Sequence, residues 1–236
     1  MSLKASLYLI PVPLSGAGVT QMSADAKSMA HQLNYFISER PKTSRKWIKD
    51  IQHPLPQSEI TVIDIMELAD IEIFNNMIAA LNKGISIGLV SEAGMPCIAD
   101  PGFELVSRLH AQGWEIKPLP GPNSMMMALM ASGLPGQKFS FHGYLSAKKE
   151  ELREEVIKVS KAAKTSGFTQ IFMETPYRNK QVFTTLLGVC PQDLKLCVAA
   201  DLGTKTEIIK TAKISHWKTA ELNPFYDRPA IFILSA

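Results

Sequence analysis

ISIGLVSEAGMPCIADPGFELVSRLHAQG, residues 85–113, decides the fold class of this chain. The first six residues form an apolar run that reads as a buried strand. The last thirteen, PGFELVSRLHAQG (101–113), place proline at the first helical position and glycine at the end, and so read as a helix. Between them, SEAGMPCIAD (91–100) carries two acids and the Gly/Pro punctuation of a turn. Stopping the strand at Ser91 puts the peptide groups of EAGMP beyond the sheet, where their N–H groups are open to a ligand and Gly94 permits close approach. Asp100, just before Pro101, reads as a cap for the helix rather than a catalytic acid.

Outward from this strand–loop–helix unit the pattern repeats. SLYLIPV (6–12) reads as a first strand ending in the turn PLSGAG, and helix signals resume at Ser23. LNYFIS (33–38) and ITVID (60–64) read as strands. ERPKTSRKWIKDIQHP between them is polar, basic and bracketed by prolines, and is expected to be an exposed insert. Residues 69–83 place Ile73, Met77, Ala80 and Leu81 on one helical stripe, with Gly84 as the stop, and WEIKPL (114–119) is strand-like. Strands alternating with helices through short connections predict a mostly parallel α/β sheet, whose ligands collect outside the carboxyl ends of the strands.

Composition shifts at KPLPGPNS (117–124), which predicts an N-terminal α/β domain over 1–118 and a C-terminal α+β domain over 119–236. The second half offers KFSFHGY, a charged helix from about 147 to 164, strand TQIFME, a helix near 177–188, strand KLCVAA, then TEIIKTAKIS and a terminal PAIFILS. Consecutive strands without helices near its end predict a mixed sheet. The methionines of SMMMALM suit a helix packed on the core.

The 236 residues carry a formal charge of +3, with 46% hydrophobic and 20% charged residues, which places the chain among ordinary globular proteins and away from disordered ones. Charge this modest leaves an RNA partner open without requiring one. Three scattered cysteines without ligand spacing predict reduced thiols of a cytoplasmic protein, with no disulfide and no metal. No apolar run approaches the ~18 residues a membrane-spanning helix needs. The common dinucleotide, P-loop, zincin and nucleophile-elbow patterns are missing.

Five blocks occur together in order: LYLIPVPLSG, VSEAGMPCIADPGFELV, PLPGPNSMMMALMASGLP, FSFHGYLSAKK and TQIFMETPYR. In order and spacing they resemble the tetrapyrrole methylase superfamily of S-adenosylmethionine-dependent methyltransferases. Within it they are most similar to the small-subunit rRNA cytidine 2′-O-methyltransferase branch. The resemblance runs from about residue 6 to the end. It implies two α/β domains, a homodimer, and S-adenosylmethionine held in the interdomain cleft. Carried over by motif position, the cofactor-binding residues would be Pro13, Leu14, Glu92, Ala93, Gly94, Met95, Ile98, Asn123, Ser124, Glu174 and Ala200. It assigns no catalytic residue.

The sequence also departs from that branch. Where the branch carries an E-D-T-R-x-T-x-K-like segment, this chain reads SERPKTSRKW, keeping Glu39, Lys42, Ser44, Arg45 and Lys46 but placing Arg40 and Pro41 at the D-T pair. ELADIEIFNN stands in place of an H-N-E segment, and AADLGTKTE in place of R-E-L-T-K. Lys42, Arg45 and Lys46 are candidates for RNA phosphates, with Trp47 available for stacking, although a solvated face accounts for the charges equally well. The leading expectation is ribosomal RNA ribose 2′-O-methylation. The alternatives are C-methylation of a tetrapyrrole ring and non-catalytic binding of S-adenosylmethionine or RNA.

Overall fold

The computed structural model describes residues 5–217 and 225–236. The chain divides into two compact units, Met1–Asn123 and Ser124–Ala236.

In the first unit, β1 (Ser6–Ile10), α1 (Ala24–Gln32), β2 (Tyr35–Ser38), α2 (Pro41–Asp50), β3 (Thr61–Asp64), α3 (Ile71–Asn82), β4 (Ile87–Val90), α4 (Gly102–Ala111) and β5 (Glu115–Pro118) follow one another. The strands form one all-parallel sheet in the order β3-β2-β4-β1-β5. Because β-strand side chains alternate, each of β1 to β4 feeds two cores. Leu7, Ile37, Ile87 and Leu89 pack with Phe74, Met77 and Leu81 of α3 and Leu105 and Leu109 of α4. Ile10, Phe36 and Val90 pack with Ala26 and Ala30 of α1 and Trp47 and Ile48 of α2 on the other face. Gly88 completes the second layer by yielding space: a Cβ there would sit 2.9 Å from both Ile10 Cδ1 and Phe36 Cδ1.

This arrangement is doubly wound. The connections leaving β1 and β2 run to one side along one face, and those leaving β3 and β4 return along the other. The direction reverses between neighbouring strands β4 and β1, which is where open α/β sheets hold ligands.

The second unit contains α5 (Ser124–Ser132), β6 (Phe139–Tyr144), α6 (Lys149–Ser166), β7 (Thr169–Glu174), α7 (Asn179–Val189), β8 (Lys195–Ala200), β9 (Ile208–Lys213), α8 (Ile214–Trp217) and β10 (Ala230–Ser235). Its sheet runs β6-β7-β10-β8-β9, with β6–β7 parallel and the other pairs antiparallel. Phe172 and Phe232 stack across β7 and β10 with centroids 5.5 Å apart. Trp217 lies edge-on to Phe183 and Phe225, and its buried indole N–H finds the Leu196 carbonyl at 2.9 Å. Among the described residues no helix is long and apolar enough to cross a membrane.

Three details differ from the sequence reading. Residues 41–50 are the helix α2, with Ser44, Trp47 and Ile48 buried at helical spacing, so only one face of the expected insert is exposed. Pro101 is the N-cap of α4 rather than its first residue, and the Asp100 carboxylate accepts from Gly102 N–H at 2.8 Å and Cys97 N–H at 3.2 Å. The buried stripe of α3 is Phe74, Met77 and Leu81, so Phe74 joins the expected side while Ile73 and Ala80 are only partly buried against the same core.

Candidate functional site

Most of the candidate cofactor residues lie on the loops that leave β1 and β4. Val12 and Gly94 exchange backbone hydrogen bonds at 2.9 and 3.1 Å, so the two loops are tied where the winding reverses. The Ser91 hydroxyl donates to the carbonyls of Ala93 and Gly94, folding the second loop back on itself. Gly94 has φ 75°, and a Cβ on it would come 3.2 Å from Leu14 Cδ2. Cys97 and Ala99 follow with φ 68° and 60°, conformations that cost non-glycine residues on the order of 1–3 kcal/mol each and cluster at binding sites.

Segment 119–123 folds onto these loops as part of the same unit. Leu119 N–H donates to the Leu9 carbonyl at 3.0 Å, and Ser23 donates to the Pro120 carbonyl at 2.9 Å. The Asn123 amide reaches the Met95 sulfur at 3.7 Å. Thus Pro13, Leu14, Gly94, Met95 and Asn123 are gathered at one edge of the sheet, with Ala93 and Ile98 exposed beside them. The expectation that the EAGMP amides stand open holds only in part. Gly94 N–H is taken by Val12, Glu92 N–H by Glu39 and Leu14 N–H by Gln21, whereas those of Ala93, Met95 and Ile98 donate to no group among the described residues.

Glu39, not nominated from sequence as a cofactor or catalytic residue, enters at the carboxyl end of β2. Its Oε2 accepts from Glu92 N–H at 3.2 Å, and its own N–H donates to the Val90 carbonyl at 3.4 Å. Burial pushes its carboxyl above the usual carboxylate range, and the charges of Asp100 and Glu92 push the same way, against the opposing pull of that N–H bond and of Arg40. The Arg40 guanidinium pairs with Glu92 at 3.2 Å, so the residue standing at the D-T pair binds the β4–α4 loop directly. The signal for Glu39 was its retention in SERPK, beside a strand end.

In the second unit, Glu174 and Ala200 end β7 and β8, and both are register partners of Ala230 on the strand between them. The Glu174 carboxylate, with its side chain 1% exposed, accepts from Thr175 N–H at 2.7 Å and pairs with Arg178 at 3.2 Å. Arg178 in turn donates to the carbonyls of Leu145 and Ser146. Ser124 opens α5.

The RNA candidates lie on α2. Lys42, Arg45 and Lys46 are exposed, with Arg45 donating to Gln57 at 3.4 Å and Lys46 paired with Asp50 at 2.6 Å. Trp47 does not share that face. It is buried, edge-on to Phe36, and its indole N–H points at the Met22 sulfur, so it is core and cannot stack on a base.

A doubly wound parallel unit with a tied loop pair at its winding reversal, followed by a mixed-sheet unit, defines a two-domain α/β protein. The chain belongs to the tetrapyrrole (corrin/porphyrin) methylases, whose family pattern matches residues 17–217. It is 31% identical to the ribosomal RNA small subunit methyltransferase I of Vibrio cholerae over 201 residues, covering 85% of this chain and 65% of that one. It is 27% identical to the protein of the same name from Xylella fastidiosa over 234 residues, covering 99% and 82%. The chain thus spans about two thirds of the Vibrio relative's length. Among solved structures it is similar to the methyltransferase CobJ, with a TM-score of 0.62 at 16% identity over 98% of this chain and 94% of that one. It is also similar to uroporphyrin-III-C-methyltransferase from Thermus thermophilus, with a TM-score of 0.55 at 15% identity over 99% and 93%. These two likenesses establish the fold.

Proposed function

We propose that this chain is an S-adenosylmethionine-dependent methyltransferase that modifies a ribose 2′-hydroxyl of small-subunit ribosomal RNA, working in the cytoplasm as a homodimer. The observation that carries the reading is the tied loop pair at the β1/β4 reversal, in a chain whose relatives bear the name of small-subunit RNA methyltransferases.

The loops fit a nucleoside-type donor by their chemistry. The Ala93, Met95 and Ile98 N–H groups are unspent among the described residues, Leu14, Met95 and Ile98 offer apolar surface, and Gly94 supplies the turn that keeps the edge open. Pro13, Glu92, Asn123, Ser124, Glu174 and Ala200 complete the set that the family resemblance implies. Bound there, the sulfonium supplies a methyl group with a good leaving group already attached. The protein's task is then to hold the acceptor in line and keep water out, worth about 7–11 kcal/mol of barrier in well-oriented systems. No metal is invoked. Lys42, Arg45 and Lys46 supply phosphate contacts that position RNA without reading its sequence.

Transfer of labelled methyl from S-adenosylmethionine to transcribed small-subunit rRNA, free and in reconstituted subunits, tests the proposal. The expected product is a labelled nucleotide whose 3′ linkage resists alkali, the signature of a blocked 2′-oxygen. Label entering a tetrapyrrole precursor and no RNA would replace the reading with ring C-methylation.

A further inference from the structure

We infer that Glu39 is the catalytic residue that accepts the proton of the acceptor hydroxyl, an assignment that rests on the methyltransferase reading above. Of the carboxylates at this edge, Asp100 and Glu92 each spend one oxygen on a structural partner. Asp100 Oδ1 holds two backbone N–H groups at the start of α4, and Glu92 is paired with Arg40. Glu39 spends only Oε2, on Glu92 N–H, and its Oε1 accepts from no group among the described residues.

Its position is fixed from three directions. The backbone N–H of Glu39 is held by Val90, the loop of β4 is held by its Oε2, and the turn that follows is held by Ser38. Ser38 Oγ accepts from Arg40 N–H at 3.0 Å and shares a 2.5 Å hydrogen bond with the buried Ser44 hydroxyl. A half-buried carboxylate anchored this way keeps one oxygen at a set place without spending side-chain entropy at the moment of reaction. That place lies between the proposed donor loop, to which Glu39 is bonded, and the first turn of α2, where Lys42 begins the basic face.

In the step, the acceptor O–H bond breaks toward a Glu39 carboxylate oxygen while an O–CH3 bond forms. The S–CH3 bond breaks with its electron pair kept on sulfur, which leaves as a neutral thioether, and the proton passes to solvent from Glu39. The groups facing Glu39 set its basicity: Asp100 and Glu92 from the β4–α4 loop raise it, and Arg40 and the Glu92 N–H lower it, with burial the largest influence and upward. The carboxylate is therefore a stronger base than an exposed one.

Glu39→Gln keeps an oxygen for Glu92 N–H and removes the base. The expected result is a fall in single-turnover transfer to rRNA on the order of 10²–10⁴-fold, with S-adenosylmethionine affinity within about threefold of wild type and partial rescue in Glu39→Asp. The wild-type rate should show an acid limb whose midpoint matches the Glu39 carboxyl titration measured by 13C NMR in the ligand-free protein. Glu39→Gln should lack that limb. Transfer within threefold of wild type, or an acid limb surviving in Glu39→Gln, overturns the assignment while leaving the methyltransferase reading in place. A wild-type protein that itself labels no RNA removes that reading and the assignment together, and the two failures are told apart by the wild-type lane alone.

Discussion

A Cβ at Gly121 would lie 2.2 Å from Pro11 Cβ and 2.6 Å from its Cγ, and a proline ring cannot swing aside. The glycine of PLPGPN is thus required by contact rather than by φ. Gly121→Ala is expected to cost about 1–3 kcal/mol, which lowers the melting midpoint by roughly 2–4 °C per kcal/mol in a chain of this size. An unshifted melt would mean the segment does not lie against Pro11. Cys97 gives a second test. Burial, followed by the negative charge of Asp100, pushes its thiol up to about 11, so it stays protonated at pH 8. Alkylation should be slow there and rise through pH 10, against a prompt reaction at pH 8 if the loop is open. Glu39 gives a third. Its carboxyl is raised in the folded chain, so ionising it opposes folding, and the associated stability is present below the ordinary carboxylate range and lost as pH rises through the folded-state value. Glu39→Gln should therefore melt no lower than wild type at pH 7, and its advantage should vanish as pH falls below that range.

Helix α2 separates structure from function on two faces. Trp47→Ala should cost about 3–5 kcal/mol, because the indole fills the layer beneath β2, and this loss should appear without any RNA. Lys42→Ala/Arg45→Ala/Lys46→Ala should leave stability nearly unchanged, since the Lys46–Asp50 pair is exposed and worth a few tenths of a kcal/mol. It should instead reduce the salt slope of RNA binding by about 2, at roughly 0.7 per lost phosphate contact. An unchanged slope returns the face to solvent. The helix was hidden in the sequence by its prolines and charges: ERPKTSRKWIKDIQHP reads as polar, and only the spacing of Ser44, Trp47 and Ile48 betrays a buried side. Local composition registers what faces water, and the missing part was the partner surface offered by Phe36 and Ile10.

At the scale of the whole chain, the strand–helix alternation of the first half and the clustered strands of the second were legible because parallel and mixed sheets leave different punctuation. ISIGLV and KLCVAA were readable as strands since each carries a buried apolar run, residues 87–90 and 196–200. The strand order was not legible, because the reversal between β1 and β4 depends on which way each crossover turns, and no residue encodes that alone. The loop chemistry was half legible. SEAGMP marked the place, but which amides remain open depended on Val12, Gln21 and Glu39 from distant positions. Glu39 itself could be noticed only as a retained acid until the fold set it against Glu92.

The most direct test of the account is a calorimetric titration of wild type and Gly94→Val with S-adenosylmethionine. A side chain at position 94 must take φ 75° and press on Leu14 and the Pro122 carbonyl, so it should close the loop edge. Saturable binding at one site per wild-type chain is expected, with at least tenfold weaker binding in Gly94→Val. Absence of binding to the wild type, or equal affinity in the variant, would contradict it.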